Sequence, residues 1–299
     1  MNTIQAPALS FFQVYSKAKA YIELLKVRLS LLVAFSCAFG YGLATRGDVH
    51  WPTLLMVTFG GFLLSGASVC INQIIEKDLD KLMKRTMNRP LPTGRISVNE
   101  AIVFAVLCMA LSLVILWIYT NPLTVILSFV SMLLYSFAYT PLKRVGPFAV
   151  FVGAIPGALP PLLGWIAATG QITHEALIIF GIQFIWQFPH FWAIAWVADD
   201  DYKKAGFKLL PSKEGKNINT AVQIMIYTMF LIPLGLLPAK FGITGIDSAI
   251  VASVCGVAFF AQTFSLLKTG SRKSALRIMF GSFLYLPIVQ IAYLLDKVN

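Results

Sequence analysis

Three oxygen-bearing side chains recur at four-residue intervals in one stretch of the chain: Asn72, Glu76 and Asp80. On a helix this spacing keeps them within about 80° of one another on a single face, with Asp78 pointing away. One amide and two carboxylates in a ladder suit a hard cation. Mg²⁺ in particular takes one or two carboxylates and fills its shell with water and phosphate oxygens. Lys84, Arg85 and Arg89 follow shortly after, and an arginine fork matches phosphate oxygens in pairs. Acid and base in one segment point to a metal–diphosphate site. The plain alternative is a solvated loop whose charges only set topology. The ladder, the arginine cluster and a second acidic segment, Asp199-Asp200-Asp201-Tyr202-Lys203-Lys204, weigh against it.

The elements that must position these residues are set by composition. Of 299 residues, 58% are hydrophobic and 12% charged, with mean hydropathy +0.76; a soluble domain carries about 25% charged residues. The fold class expected is all-α, a polytopic membrane protein with helices bundled around a central cavity. A spanning helix needs about 20 mostly apolar residues. Nine blocks meet that length, over 27–45, 52–75, 100–119, 122–140, 147–168, 175–197, 220–238, 246–266 and 275–295. Spanning strands would instead alternate over about ten residues. With the N-terminus placed in the cytoplasm, 21 of the 24 basic residues fall in cytoplasmic segments, leaving Arg46, Lys240 and Lys297 outside. That is the positive-inside distribution, and it puts the C-terminus outside and both acidic segments on the cytoplasmic side. The first 20 residues lack the cleavage site of a signal peptide and the arginines of a transit peptide. A cell (plasma) membrane of bacterial type is the simplest location. The whole chain, 1–299, reads as one membrane domain, with 1–20 expected to be loosely ordered.

Ionisable or amide groups inside a bilayer are costly and usually functional. The sixth block holds Gln183, Gln187 and His190 on one helical face among Trp186, Phe191, Trp192 and Trp196; the fourth ends Tyr135 to Arg144 through Tyr139, Thr140, Pro141 and Lys143. A lone buried histidine is as readily an interhelical contact as a ligand. The four cysteines are scattered through apolar blocks, which suits buried, inert thiols better than disulfides or zinc. The two acidic segments share an order of acid, base and Leu-Pro about 120 residues apart, the faint mark of two related halves.

At these segments the chain resembles the UbiA-type intramembrane prenyltransferase superfamily, in which two acidic motifs bind a prenyl diphosphate through Mg²⁺. The family's Asn-x3-Asp-x3-Asp maps onto Asn72, Glu76 and Asp80, with Glu in place of the first Asp. The resemblance is strongest to the branch that farnesylates heme, through Arg85-Thr86-Met87-Asn88-Arg89-Pro90, Tyr139-Thr140-Pro141-Leu142-Lys143-Arg144, Pro189-His190-Phe191-Trp192 and Asp201-Tyr202 onward to Leu210-Pro211. It covers essentially the whole chain. One departure stands in the second motif, Asp-x3-Asp. With Asp201 as its last member, Val197 occupies the first position, and Asp199 or Asp200 could replace it only after a local shift.

The resemblance implies transfer of a farnesyl group from farnesyl diphosphate to a vinyl group of heme B, which gives heme O for heme-copper oxidase biogenesis. It assigns Mg²⁺ to Asn72, Glu76, Asp80 and Asp201, and the diphosphate to Lys84, Arg85, Arg89, Lys143 and Arg144. Tyr139, Tyr202, Lys203 and Gln187 complete the expected substrate contacts, and His190 ligates the heme iron or orients the vinyl carbon. Membrane lipids and heme-handling proteins such as a heme A synthase or oxidase assembly factors are the partners implied; nucleic acid is not. Two other readings stay open: prenylation of an aromatic quinone precursor, and a secondary transporter of an anionic metabolite.

Overall fold

The computed structural model describes residues 11–212 and 214–298. In chain order the helices are α1 (Phe11–Leu24), α2 (Val27–Ala44), α3 (Trp51–Ile75), α4 (Lys77–Asp80), α5 (Val98–Tyr119), α6 (Pro122–Leu133), α7 (Thr140–Leu142), α8 (Phe148–Thr169), α9 (His174–Val197), α10 (Asp199–Lys204), α11 (Ile218–Gly235), α12 (Leu237–Lys240), α13 (Ile246–Thr269) and α14 (Arg272–Leu295). Among the described residues, nine segments are long and apolar enough to cross a membrane, counting α6–α7 and α11–α12 each as one. They coincide with the nine apolar blocks to within a few residues. The segment expected to be loosely ordered divides: residues 1–10 lie outside the described residues, and from Phe11 the chain is helical. Ala20 and Leu24 explain this, since they bury against Cys70, Leu91, Ile96, Ala101 and Ala105.

Local sequence sets the helix ends. Ser97 and Glu100 form a capping box on α5, and Asn121, Thr173, Asn217 and Ser271 cap α6, α9, α11 and α14 through their side chains. Each satisfies an amide that the first helical turn leaves free. Gly170 and Gly270 end α8 and α13 in the left-handed conformation (φ 74° and 56°), which lacks a steric penalty only for glycine.

The centre of the bundle is α8, flanked by α2 and α9. A Cβ at Gly40 or Gly164 would land on backbone of the facing helix, at Pro161 and Cys37 respectively, so α2 and α8 touch main chain to main chain. Pro156, Pro160 and Pro161 interrupt α8. A proline removes the donor for the carbonyl four residues earlier. Two carbonyls freed in this way find partners on neighbours: Pro156 O accepts from Ser131 Oγ (3.4 Å), and Gly157 O accepts from Gln183 Nε2 (3.0 Å). Lipid offers no hydrogen bonds, so neighbouring helices supply them.

Gly164→Val is therefore expected to destabilise the protein by about 1–3 kcal/mol or more, as overpacking does. Valine at half-buried Gly181, where a Cβ meets nothing, serves as the control. The check is thermal unfolding of both variants in detergent.

Candidate functional site

Asn72 and Gln73 close α3, and the helix breaks at Glu76 (φ −93°, ψ 5°) before resuming as α4. The break does not disturb the ladder. Glu76 N donates to Asn72 O (3.0 Å) and Asp80 N to Glu76 O (2.8 Å), so all three residues keep helical register. All three side chains are buried, Asp80 completely.

Burying two carboxylates requires compensation, and each has a cation. Lys143 Nζ donates to Glu76 Oε1 at 2.8 Å, and Arg89 Nη1 to Asp80 Oδ2 at 2.7 Å. Lys143 is itself nearly enclosed, lying over the Tyr139 and Phe207 rings at 4.7 and 5.6 Å, in the range where a ring face attracts a cation. Thr86 Oγ1 donates to Asp80 O (2.8 Å), which folds the segment after α4 back and brings Arg89 to Asp80. Asp80 Oδ1 has no hydrogen-bond partner.

A π-helical turn, Leu134–Tyr139, aims the second cation. Pro141 cannot donate to Phe137 O, and in the widened turn both Thr140 N and Thr140 Oγ1 donate to Tyr135 O, the hydroxyl at 2.9 Å. Such widened turns recur at functional sites. The turn faces Thr140 to Asn72, whose Nδ2 donates to Thr140 Oγ1 (3.1 Å), and carries Lys143 over Glu76. The apolar run through this block gave no sign of the widened turn; only the Thr-Pro pair hints at it.

The second acidic segment meets the first through packing. Met83, Ala205 and Phe207 are buried together with Leu79 and Tyr202 alongside, Arg85 lies 5.9 Å from the Tyr202 ring centre, and Lys208 N donates to Lys143 O (2.7 Å). Its carboxylates are held by its own lysines: Asp199 with Lys203 (2.8 Å) and Lys216 (3.4 Å), Asp201 with Lys204 (3.6 Å). The buried member is Asp199, not Asp201. Among the described residues no three His, Cys, Asp or Glu side chains converge to hold a metal, so the expected set with Asp201 is not assembled. The physical reason is local: the helix ends at Val197, and the nearby lysines neutralise the acids. Lys203 is spent on Asp199, and Lys84 and Arg144 point outward.

Gln187 is engaged within the bundle. Its Nε2 donates to Ala154 O (2.8 Å), and Gly157 abuts its amide oxygen. These contacts join α9 to the proline-broken α8. His190 turns the other way, toward α14.

One participant was passed over by sequence reasoning. Lys26, between α1 and α2, is the only non-glycine with positive φ among the described residues (φ 44°). Its carbonyl accepts from Leu29 N (2.8 Å) and Ser30 N (3.1 Å), and Gln73 Nε2 anchors the preceding turn at Leu24 O (2.8 Å). Burial, then the Arg89 and Lys143 cations, pull the Lys26 ammonium down to about 7, against Glu76 and Asp80. Lys26 thus belongs electrostatically to the same cluster. In the sequence it reads only as one more basic residue at a helix start.

Because Glu76 and Lys143 are both buried, breaking the pair leaves an uncompensated charge. Lys143→Met is expected to cost about 3–5 kcal/mol. Lys143→Met with Glu76→Gln should cost clearly less. Denaturant titration in micelles over the double-mutant cycle measures the difference.

Comparison with known proteins places this geometry in context. The profile of the UbiA prenyltransferase family matches residues 33–286. A relative from Cytophaga hutchinsonii, named protoheme IX farnesyltransferase, is 56% identical over 283 residues, covering 95% of this chain and 99% of its own. One of the same name from Christiangramia forsetii is 44% identical, covering 92% of each. Among solved structures, a digeranylgeranylglyceryl phosphate synthase superposes with TM-score 0.77 at 23% identity, over 94% of this chain and 98% of that one. A UbiA homolog from Archaeoglobus fulgidus bound to GPP and Mg²⁺ superposes with TM-score 0.66 at 18% identity, over 92% and 99%.

Proposed function

The chain belongs to the UbiA prenyltransferase family, and from that premise we propose that it transfers a farnesyl group from farnesyl diphosphate to a vinyl group of protoheme IX. The observation that carries the reading is the near full-length likeness, up to 56% identity, to relatives of that name. The buried lattice of Glu76, Lys143, Asp80 and Arg89 supports placing the diphosphate at that end of the bundle.

The donor set fits Mg²⁺. Asn72, Glu76 and Asp80 are hard oxygen ligands in register, and Asp80 Oδ1 is buried with no partner. These three residues would hold the ion, which would neutralise diphosphate oxygens as negative charge gathers on them. The residues around it have definable work. Arg89 and Lys143, spent on the carboxylates as described, are the cations nearest a diphosphate, with Lys26 and Arg85 at the margin. Charge builds on the leaving diphosphate as the allylic C–O bond ionises, so fixed cations there stabilise the transition state. The wall below is aromatic: Tyr135, Tyr139 and Phe191 form a chain of ring contacts at 5.4 and 6.4 Å. Such a lining excludes the water that would quench an allylic cation to farnesol. A vinyl carbon forms the new C–C bond, water supplies the hydroxyl of the resulting hydroxyethylfarnesyl group, and one proton is released. His190, about 10 Å along α9 from its end at Val197 by helix rise, serves the heme.

The orientation proposed is N-terminus cytoplasmic and C-terminus outside in a plasma membrane. Contacts at the two ends of the bundle support the sorting of charge. Arg95–Glu23, Gln73 to Leu24 O and Lys208 to Lys143 O tie one end. Lys297 to Gly42 O and Thr45 O, with Arg46 to Val298 O, tie the other.

A membrane assay with heme, farnesyl diphosphate and Mg²⁺, read by mass spectrometry, tests the reaction. Farnesylated heme is expected from the wild type, and a loss of at least 100-fold from folded Asp80→Ala; full activity in that variant would remove the ladder from the mechanism. No product from folded wild type, with product from a quinone precursor, would move the acceptor to the alternative.

A further inference from the structure

His190 is held more tightly than a packing histidine needs to be. Its Nδ1 lies 2.7 Å from Ser282 Oγ on α14. Its ring stacks on Trp186 at 4.5 Å and 18°, with Phe283 and Phe191 edge-on at 4.9 and 5.3 Å. Trp186 is pinned by the same residue, since its Nε1–H donates to Ser282 O at 3.1 Å. Ser282 is fully buried.

The direction of the His190–Ser282 bond follows from counting hydrogens. A serine hydroxyl has one proton to give. Ser282 Oγ gives it to Met279 O at 2.7 Å. Toward His190 the hydroxyl can only accept, so the proton lies on Nδ1. A neutral imidazole carries one N–H, and with Nδ1 protonated, Nε2 holds the lone pair. Among the described residues His190 bonds through Nδ1 alone, and Nε2 enters no hydrogen bond. Residues that donate or accept behind a metal-binding histidine fix its tautomer and ring angle, and losing them costs about 10–100-fold in affinity or activity.

We infer that Ser282 is a positioning residue for the acceptor: it locks His190 as the Nδ1–H tautomer, so that Nε2 offers its lone pair to the iron of the bound porphyrin. The inference rests on the heme reading given under Proposed function. Trp186, clamped to the same serine, keeps the ring from turning about its long axis. The bond spans α9 and α14, so the two helices that carry His190 and Ser282 fix the imidazole between them. Nothing in the spacing of Gln183, Gln187 and His190 shows this, because Ser282 lies 92 residues further on.

The tautomer can be read without heme or turnover. The chain has three histidines, so ¹⁵N-histidine labelling with His190→Ala as the subtraction control isolates the His190 signals. A pyrrole-like Nδ1 and a pyridine-like Nε2 are expected in the wild type, shifting toward Nε2–H in Ser282→Ala. Heme titration of the same proteins, followed in the Soret band, should weaken by about 10–100-fold in Ser282→Ala, and the KM for heme should rise while that for farnesyl diphosphate holds. An Nε2–H signal in the wild type, an unchanged tautomer in Ser282→Ala, or heme binding indifferent to both substitutions would overturn the inference. Wild type that binds heme through His190 yet returns no farnesylated product would instead overturn the functional reading and leave the Ser282 assignment supported.

Discussion

Two carboxylates buried at one end of a membrane bundle constrain everything around them. An isolated carboxylate in a low-dielectric medium is too costly to persist, so Glu76 and Asp80 each need a cation at hydrogen-bond distance, and Lys143 and Arg89 supply them. Meeting that need shapes the local fold. The π-turn before Lys143 exists so that a residue after Pro141 can reach back over α3, and the tight fold after α4, tied by Thr86, returns Arg89 to the carboxylate nine positions earlier. The site is consequently self-neutralised in the absence of substrate. On the reading proposed above, a metal and a diphosphate arriving together would present the carboxylates with a new cation and the cations with new anions, so that no charge would be left without a partner.

The placement of the charges separates this arrangement from a carrier. Secondary transporters set their charged groups near the bilayer midplane, where both sides can reach them in turn. Here the acids and their cations gather at one end of the bundle, and the interior below them is aromatic and amide-lined. A cavity among Phe39, Ile182, Gln183, Val289 and Tyr293 holds only about 10 Å³, about the room of one water. A charged mouth above an apolar, aromatic interior suits a membrane-soluble substrate with a charged head, the class proposed above.

The nine spans and the first ladder were legible because they rest on local rules: apolar length, and a four-residue period that survives the break at Glu76. Arg89 was legible by type, as a cation following the acids in one segment; Lys143, 67 residues from Glu76, was reached only through the resemblance. What was not legible depended on tertiary contact. Gln183 and Gln187 share a stripe with His190, yet both glutamines give their amide N–H groups to α8 carbonyls, one of them, Gly157 O, freed by Pro161, while the histidine bonds only toward α14. Asp199 is buried and Asp201 is not, a choice made by where α9 ends and which lysines stand nearby. Lys26 joins the cluster through one left-handed residue, which no property of a lysine announces.

The proline-interrupted centre has a consequence for biogenesis. A helix entering the bilayer from the insertion machinery normally brings every main-chain partner with it. Through Pro156, Pro160 and Pro161, α8 does not, and it relies on Ser131 from the preceding span and Gln183 from the following one to quiet its exposed carbonyls. It is therefore poorly suited to wait alone in lipid. The spans on either side act as its companions during synthesis, so the middle third of the chain should be released into the membrane as a group of three rather than helix by helix.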